Sequence, residues 1–200
     1  MESVPLALVY SRLVIGGLLV ACSYGRVAHF GALAVGLIVL GVLTDVFDGI
    51  VARQLNVSTE KLRRLDSAID QVFWGLVLLA TYLACPGFFA RHATKLWLLL
   101  ALEGLTYAVS YLRFRKEIAT HSWGAKAWVL VSAAALVQIL LTAESRVLFA
   151  VSFWVGAASR LEIVAIVLLL RTWTNDVPTC FHALRLRQHK PIRRHKLLNG

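Results

Sequence analysis

Apolar stretches follow one another along this chain with only short polar breaks between them. Six are legible, at about 5–22, 28–51, 67–85, 95–112, 123–142 and 147–170. Each supplies the roughly 20 helical residues that cross a hydrocarbon layer of about 30 Å. Within them apolar and polar residues do not alternate as they would in a barrel strand, so helices are the element that satisfies the backbone in lipid. The pattern predicts an all-α, polytopic membrane protein with six transmembrane helices. The first run is not expected to be a cleaved leader. It lacks a basic start, carries Arg12 in its middle and shows no cleavage signal.

Composition agrees with the pattern. The 200 residues are 58% hydrophobic and 16% charged, with a mean hydropathy of +0.71, too little polar surface to cover a soluble core of this size. Lysine and arginine then set an orientation. One side of the expected bundle carries Arg53, Lys61, Arg63 and Arg64, then Arg113, Arg115, Lys116 and Lys126, and the tail "RTWTNDVPTCFHALRLRQHKPIRRHKLLNG"; the other carries Arg26, Arg91, Lys95 and Arg146. By the positive-inside rule both termini face the cytoplasm. Two parts are expected: a six-helix transmembrane catalytic domain over 1–172, and a basic cytoplasmic tail over 173–200. In the tail Arg185, Arg187, Lys190, Arg193, Arg194 and Lys196 are interleaved with Leu184, Leu186 and Ile192, a composition suited to lying on anionic headgroups. The net charge of +10 sits mainly in the tail and these loops. No soluble basic domain accompanies it, so nucleic acid is not an expected partner. Cys22, Cys85 and Cys180 are scattered and odd in number, which argues against a disulfide framework or zinc site.

The informative polar residues are the four aspartates of "TDVFDGIVARQLNVSTEKLRRLDSAID", at the mouths of two apolar runs. On a helical wheel Asp48 falls about 60° from Asp45, Ala52 about 20° to the same side and Gly49 about 40° to the other, with Arg53 at the edge of the stripe. Asp66 and Asp70, four residues apart, share a face of the next helix. An antiparallel pair brings all four carboxylates to one membrane edge, where they repel one another unless a cation sits among them. Oxygen-only ligands suit Mg²⁺ or Mn²⁺, and two ions can share such a set to clamp a phosphoryl group. Gly49 and Ala52 leave space on the same stripe for a flat group, and Arg53 suits a phosphate. Two plainer roles stand beside this one: ion pairing with Arg12 or Arg160 to hold helices together, and an ion-translocation path of a small cation transporter.

"DVFDGIVAR", eight residues, Leu62 and "RRLDSAID" together resemble the signature of the CDP-alcohol phosphotransferase family, D-x-x-D-G-x-x-A-R and G-x-x-x-D-x-x-x-D separated by seven or eight residues. Asp45, Asp48, Gly49, Ala52, Arg53, Asp66 and Asp70 match it in identity and spacing; the second glycine of the signature falls on Leu62. The family's six-helix core agrees with the run count, and Arg12 on the first run is a family-like feature. The resemblance implies transfer of a phosphatidyl or related group from a CDP-linked lipid such as CDP-diacylglycerol to an acceptor hydroxyl, with release of CMP, in phospholipid synthesis. It implies that Asp45, Asp48, Asp66 and Asp70 hold two ions, Mg²⁺ or Mn²⁺. Asp70 would also serve as general base, and Gly49, Ala52 and Arg53 would line the CDP site. It further implies a homodimer; a bacterial inner membrane is the expected location, with the site on the cytoplasmic face that the charge count gives. Leu62 motivates a rival, a relative that binds nucleotide or lipid without turnover.

For the acceptor the chain offers Arg113, Arg115, Lys116 and Lys126 on the cytoplasmic side, in an arrangement loosely similar to phosphatidylglycerophosphate synthases, so glycerol 3-phosphate is one candidate acceptor. These cations equally suit loops that only set topology. Arg160, Glu162 and Glu103 lie inside apolar runs, where a charge faces a bundle interior or a polar cavity; Arg160 is a further acceptor candidate and Glu162 reads as structural. Trp97, Trp123 and Trp173, near run ends, read as interfacial anchors.

Overall fold

A computed structural model describes residues 3–54, 60–116, 122–174, 177–188 and 190, without the side chains of 3–5, 49, 52, 53, 60–64 and 67. Eight helices make up the described chain: α1 (Ser3–Tyr24), α2 (Phe30–Gln54), α3 (Glu60–Ala84), α4 (Pro86–Arg91), α5 (Ala93–Phe114), α6 (Trp123–Thr142), α7 (Val147–Leu169) and α8 (Cys180–Arg187). The all-α expectation holds, and the protein is an integral membrane protein. Among the described residues, five helices are long and apolar enough to cross a bilayer, over Leu6–Tyr24, Phe30–Asp48, Ala93–Phe114, Trp123–Thr142 and Val147–Leu169. The sequence pattern predicts a sixth in α3. Its apolar part is Ala68–Ala84, about 25 Å of helix, because Lys61, Arg63, Arg64 and Asp66 occupy its first turns.

Helix ends follow local chemistry. After α1 the chain turns on Gly25, whose N–H donates to the Ala21 carbonyl at 2.9 Å, with Arg26 and His29 at positive φ. Pro86 opens α4, at the helix position where its missing N–H costs nothing. Arg115 closes α5 in the left-handed conformation, its N–H bonded to the Tyr111 carbonyl.

The helices group into two compact units: residues 1–91 with 136–144, and residues 92–135 with 145–200. In the first, Ile15 and Leu19 of α1, Ala34 and Ile38 of α2, Phe73, Val77 and Ala80 of α3 and Leu140 at the end of α6 form one buried cluster. Small residues let these helices approach. A Cβ on Gly16 would stand 3.1 Å from that of Leu76, and one on Gly41 would enter the Phe73 ring. Gly16 is one turn beyond Arg12 and Gly41 one turn before Asp45. The close approach therefore lies next to the charged residues of the three helices.

In the second unit α7 is the most buried helix, with Ser159, Arg160, Ile163 and Ile166 among its covered residues. Ile166, Leu170, Val177 and Ala183 join α7 to α8. Here lie the other costly charges of the sequence. The buried Arg160 donates from Nε to Glu103 of α5 and from Nη1 to Ser159, and its guanidinium stacks over the Trp128 ring at 4.2 Å. A guanidinium with one carboxylate, one hydroxyl and an aromatic face is a balanced helix tie.

Candidate active site

The aspartates converge as the wheel predicts, and something positive does sit among them. It is Arg12. This is the one charged residue of α1, and its side chain is completely buried where α1, α2 and α3 meet. Nη1 donates to Asp45 at 2.8 Å and also to Asp70; Nη2 donates to Asp48 at 2.5 Å and also to Asp66. Each terminal nitrogen therefore joins one carboxylate of α2 to one of α3. Nε is buried and has no hydrogen-bond partner among the described residues.

Exposure is graded across the cluster. The Asp48 side chain is 5% exposed, those of Asp66 and Asp70 33%, and that of Asp45 42%. Asp48 forms the floor, and the other three line a mouth that a ligand can reach.

Local sequence accounts for this geometry. Asp45 and Asp48 sit three apart near the end of the apolar part of α2, and Asp66 and Asp70 four apart at the start of that of α3, so each pair presents to one side of its helix. The Gly41–Phe73 approach then sets how near the two pairs stand. Carboxylate oxygens of Asp45, Asp48 and Asp66 lie within 4.8 Å of one another. An all-oxygen set of this size, already closed around a cation in the form of a guanidinium, fits hard divalent ions.

The family comparison bears on this arrangement directly. Residues 2–173 match the model of the CDP-alcohol phosphatidyltransferase family. The chain belongs to this family. Membership makes it a transferase of phospholipid synthesis, passing a phosphatidyl group from a CDP-alcohol to an acceptor in a membrane-lipid setting. The family generally uses divalent metals. No curated protein and no solved structure shows a significant match to the chain.

The remaining expected residues fall in three groups. Gly49, Ala52 and Arg53 lie on α2 beyond the aspartates, but their side chains, like that of Leu62, are outside the described part of the structure. So are Ile192, Arg193, Arg194 and Lys196 of the tail. The acceptor candidates all belong to the second unit, and each has a contact there. Arg113 donates to the Leu170 carbonyl at 2.9 Å, Arg115 lies over Tyr111, Lys116 over Trp173 at 4.6 Å and Lys126 over Trp123. Arg160 is tied to Glu103. Pairing of the aspartates with Arg12 is one of the alternatives the sequence left open, and the structure shows it; pairing with Arg160 is not seen, since Arg160 meets Glu103. The signal for Arg12 was a lone arginine in an otherwise uncharged apolar run, which lipid tolerates only where the charge has a function or a partner.

Proposed function

We propose that the protein transfers a phosphatidyl group from CDP-diacylglycerol, or a related CDP-linked lipid, to the hydroxyl of a small acceptor. The acceptor oxygen attacks the lipid-side phosphorus, the bond from that phosphorus to the CMP oxygen breaks, and CMP leaves. The observation that carries this reading is the closure of all four signature aspartates around one cationic centre in a chain of this family.

In this reading Asp45, Asp48, Asp66 and Asp70 hold two divalent ions, Mg²⁺ or Mn²⁺. When bound, such ions neutralise charge developing on the diphosphate and on departing CMP. Asp70, a third exposed, is the carboxylate assigned to take the proton of the incoming hydroxyl. Gly49 and Ala52 leave room for the cytosine ribonucleotide, and Arg53 offers it a cation. Leu62 stands where the family signature has its second glycine. Its replacement by glycine is expected to raise turnover.

The reading takes six spans with α3 as the third, sets the site and both termini on the cytoplasmic face from the positive-inside count, and takes a bacterial inner membrane as the location. A homodimer completes the proposal. Residues 1–172 then form the catalytic domain and 173–200 a tail on the membrane surface, a reading supported by the exposed Phe181 and Leu184 beside Arg185 and Arg187 in α8. Exposed Arg113, Arg115 and Lys116, with the half-buried Lys126, favour a phosphorylated acceptor, of which glycerol 3-phosphate is the first to try. The contacts of Arg160 favour a structural role for it.

The test is CMP release by the detergent-purified protein with CDP-diacylglycerol, Mg²⁺ or Mn²⁺ and a panel of acceptors. Release that requires both the metal and one acceptor establishes the reaction and names its product. Folded protein that binds the donor but releases no CMP with any acceptor instead supports the binding-only alternative motivated by Leu62.

A further inference from the structure

The two arginines buried among the described residues have opposite electrostatic surroundings. Arg160 has one carboxylate, a hydroxyl and an aromatic face, and its charge is balanced. Arg12 has four carboxyl groups on two nitrogens, one guanidinium against four acids. Its Nε meanwhile has no partner among the described residues. A permanent structural pair would satisfy every buried donor and set one acid against one guanidinium; this one does neither.

The guanidinium nonetheless occupies the centre of the carboxylate set, with each terminal nitrogen bridging α2 to α3, as a cation shared between the two helices must. Two divalent ions among the same oxygens would bring four positive charges to four negative ones, and a guanidinium left between them would be repelled at contact distance. Both cannot hold the cluster at once.

We propose that Arg12 is a tethered placeholder cation: it holds the aspartate cluster closed in the metal-free protein and is displaced from it when divalent ions enter. The inference rests on the reading of the cluster as a divalent-metal site and adds an exchange that the reading does not contain. Metal affinity is thereby set partly by α1, because each binding event must remove the guanidinium from its carboxylates. The partly exposed Asp45, Asp66 and Asp70 give the route by which the ion enters and the arginine leaves.

The experiment compares wild type, Arg12→Gln and Arg12→Lys, each purified full-length in detergent in the presence of Mn²⁺, then stripped with chelator and retitrated with Mn²⁺ by calorimetry, with melting temperatures recorded at both ends of the titration. Exchange predicts that Arg12→Gln binds Mn²⁺ at least tenfold more tightly than wild type. It also predicts that the stripped variant melts below the stripped wild type and that saturating Mn²⁺ closes this gap. Arg12→Lys, whose charge sits on one nitrogen and bridges fewer carboxylates, falls between. Equal or weaker Mn²⁺ binding by Arg12→Gln overturns the exchange while leaving the metal site standing. An Arg12→Gln protein that fails to fold even in Mn²⁺ also overturns it, because the metal would then not replace the guanidinium. Absence of Mn²⁺ binding in all three proteins overturns the metal-site reading together with the exchange.

Discussion

Asp70 carries two proposed duties, ligand and base, and the two separate by substitution. Asp70→Asn keeps an oxygen near the site and lessens the repulsion among the carboxylates, so the protein is expected to fold with an unchanged or higher melting temperature. Without a base the acceptor hydroxyl keeps its proton, and CMP release should fall about 10²-fold or more. Wild-type turnover in this variant would remove the base from Asp70. Arg160 is the contrasting residue. Glu103→Gln leaves its buried guanidinium without a charged partner, at an expected cost of about 1–3 kcal/mol, read as a lower melting temperature. If the pair is structural, the acceptor KM stays at its wild-type value; a raised KM would return Arg160 to the acceptor site.

The three helices around Arg12 owe their spacing to glycine. A side chain at Gly41 meets the Phe73 ring, and one at Gly16 meets Leu76, so α1, α2 and α3 approach one another next to the charged residues. Gly41→Leu should force α2 from α3, destabilise the protein by about 1–3 kcal/mol and weaken Mn²⁺ binding, although it touches no carboxylate. Gly36→Leu, on the same helix with open space in place of a neighbour, is the control and should leave Mn²⁺ binding unchanged. Helix α3 is an element whose role the pattern overstated in one respect. Its apolar part, Ala68–Ala84, is two residues shorter than the expected run of 67–85. Asp66 precedes this apolar part and Asp70 lies in its first turn.

For the molecule as a whole, the proposed chemistry and topology make joint demands. Chelator should abolish CMP release, and Mg²⁺ or Mn²⁺ should restore it; activity that survives exhaustive chelation would refute a metal-dependent transfer. Both termini facing the cytoplasm predicts that tags at either end are cleaved by protease in inside-out vesicles and protected in right-side-out ones. Protection of one tag and cleavage of the other in the same vesicles would mean an odd number of spans, with α3 the helix to reconsider.

Much of this was readable from one dimension. Hydrophobic run length is a direct consequence of bilayer thickness, so the helical membrane class and the extents of α1, α2, α5, α6 and α7 were visible in the pattern. The spacing of Asp45, Asp48, Asp66 and Asp70 is helical geometry written in residue numbers, so the pairing of carboxylates on facing helices was visible too. Arg12 was not placeable in the same way. It lies 33 residues from Asp45 and 58 from Asp70, and no periodicity links a lone arginine on one helix to acids on two others. The partnership of Arg160 with Glu103 across 57 residues was hidden for the same reason. Local spacing says which face a charge occupies. Which charges meet depends on how the helices pack, and in lipid that is decided by small residues such as Gly16 and Gly41, whose effect exists only once a neighbouring helix is there to approach.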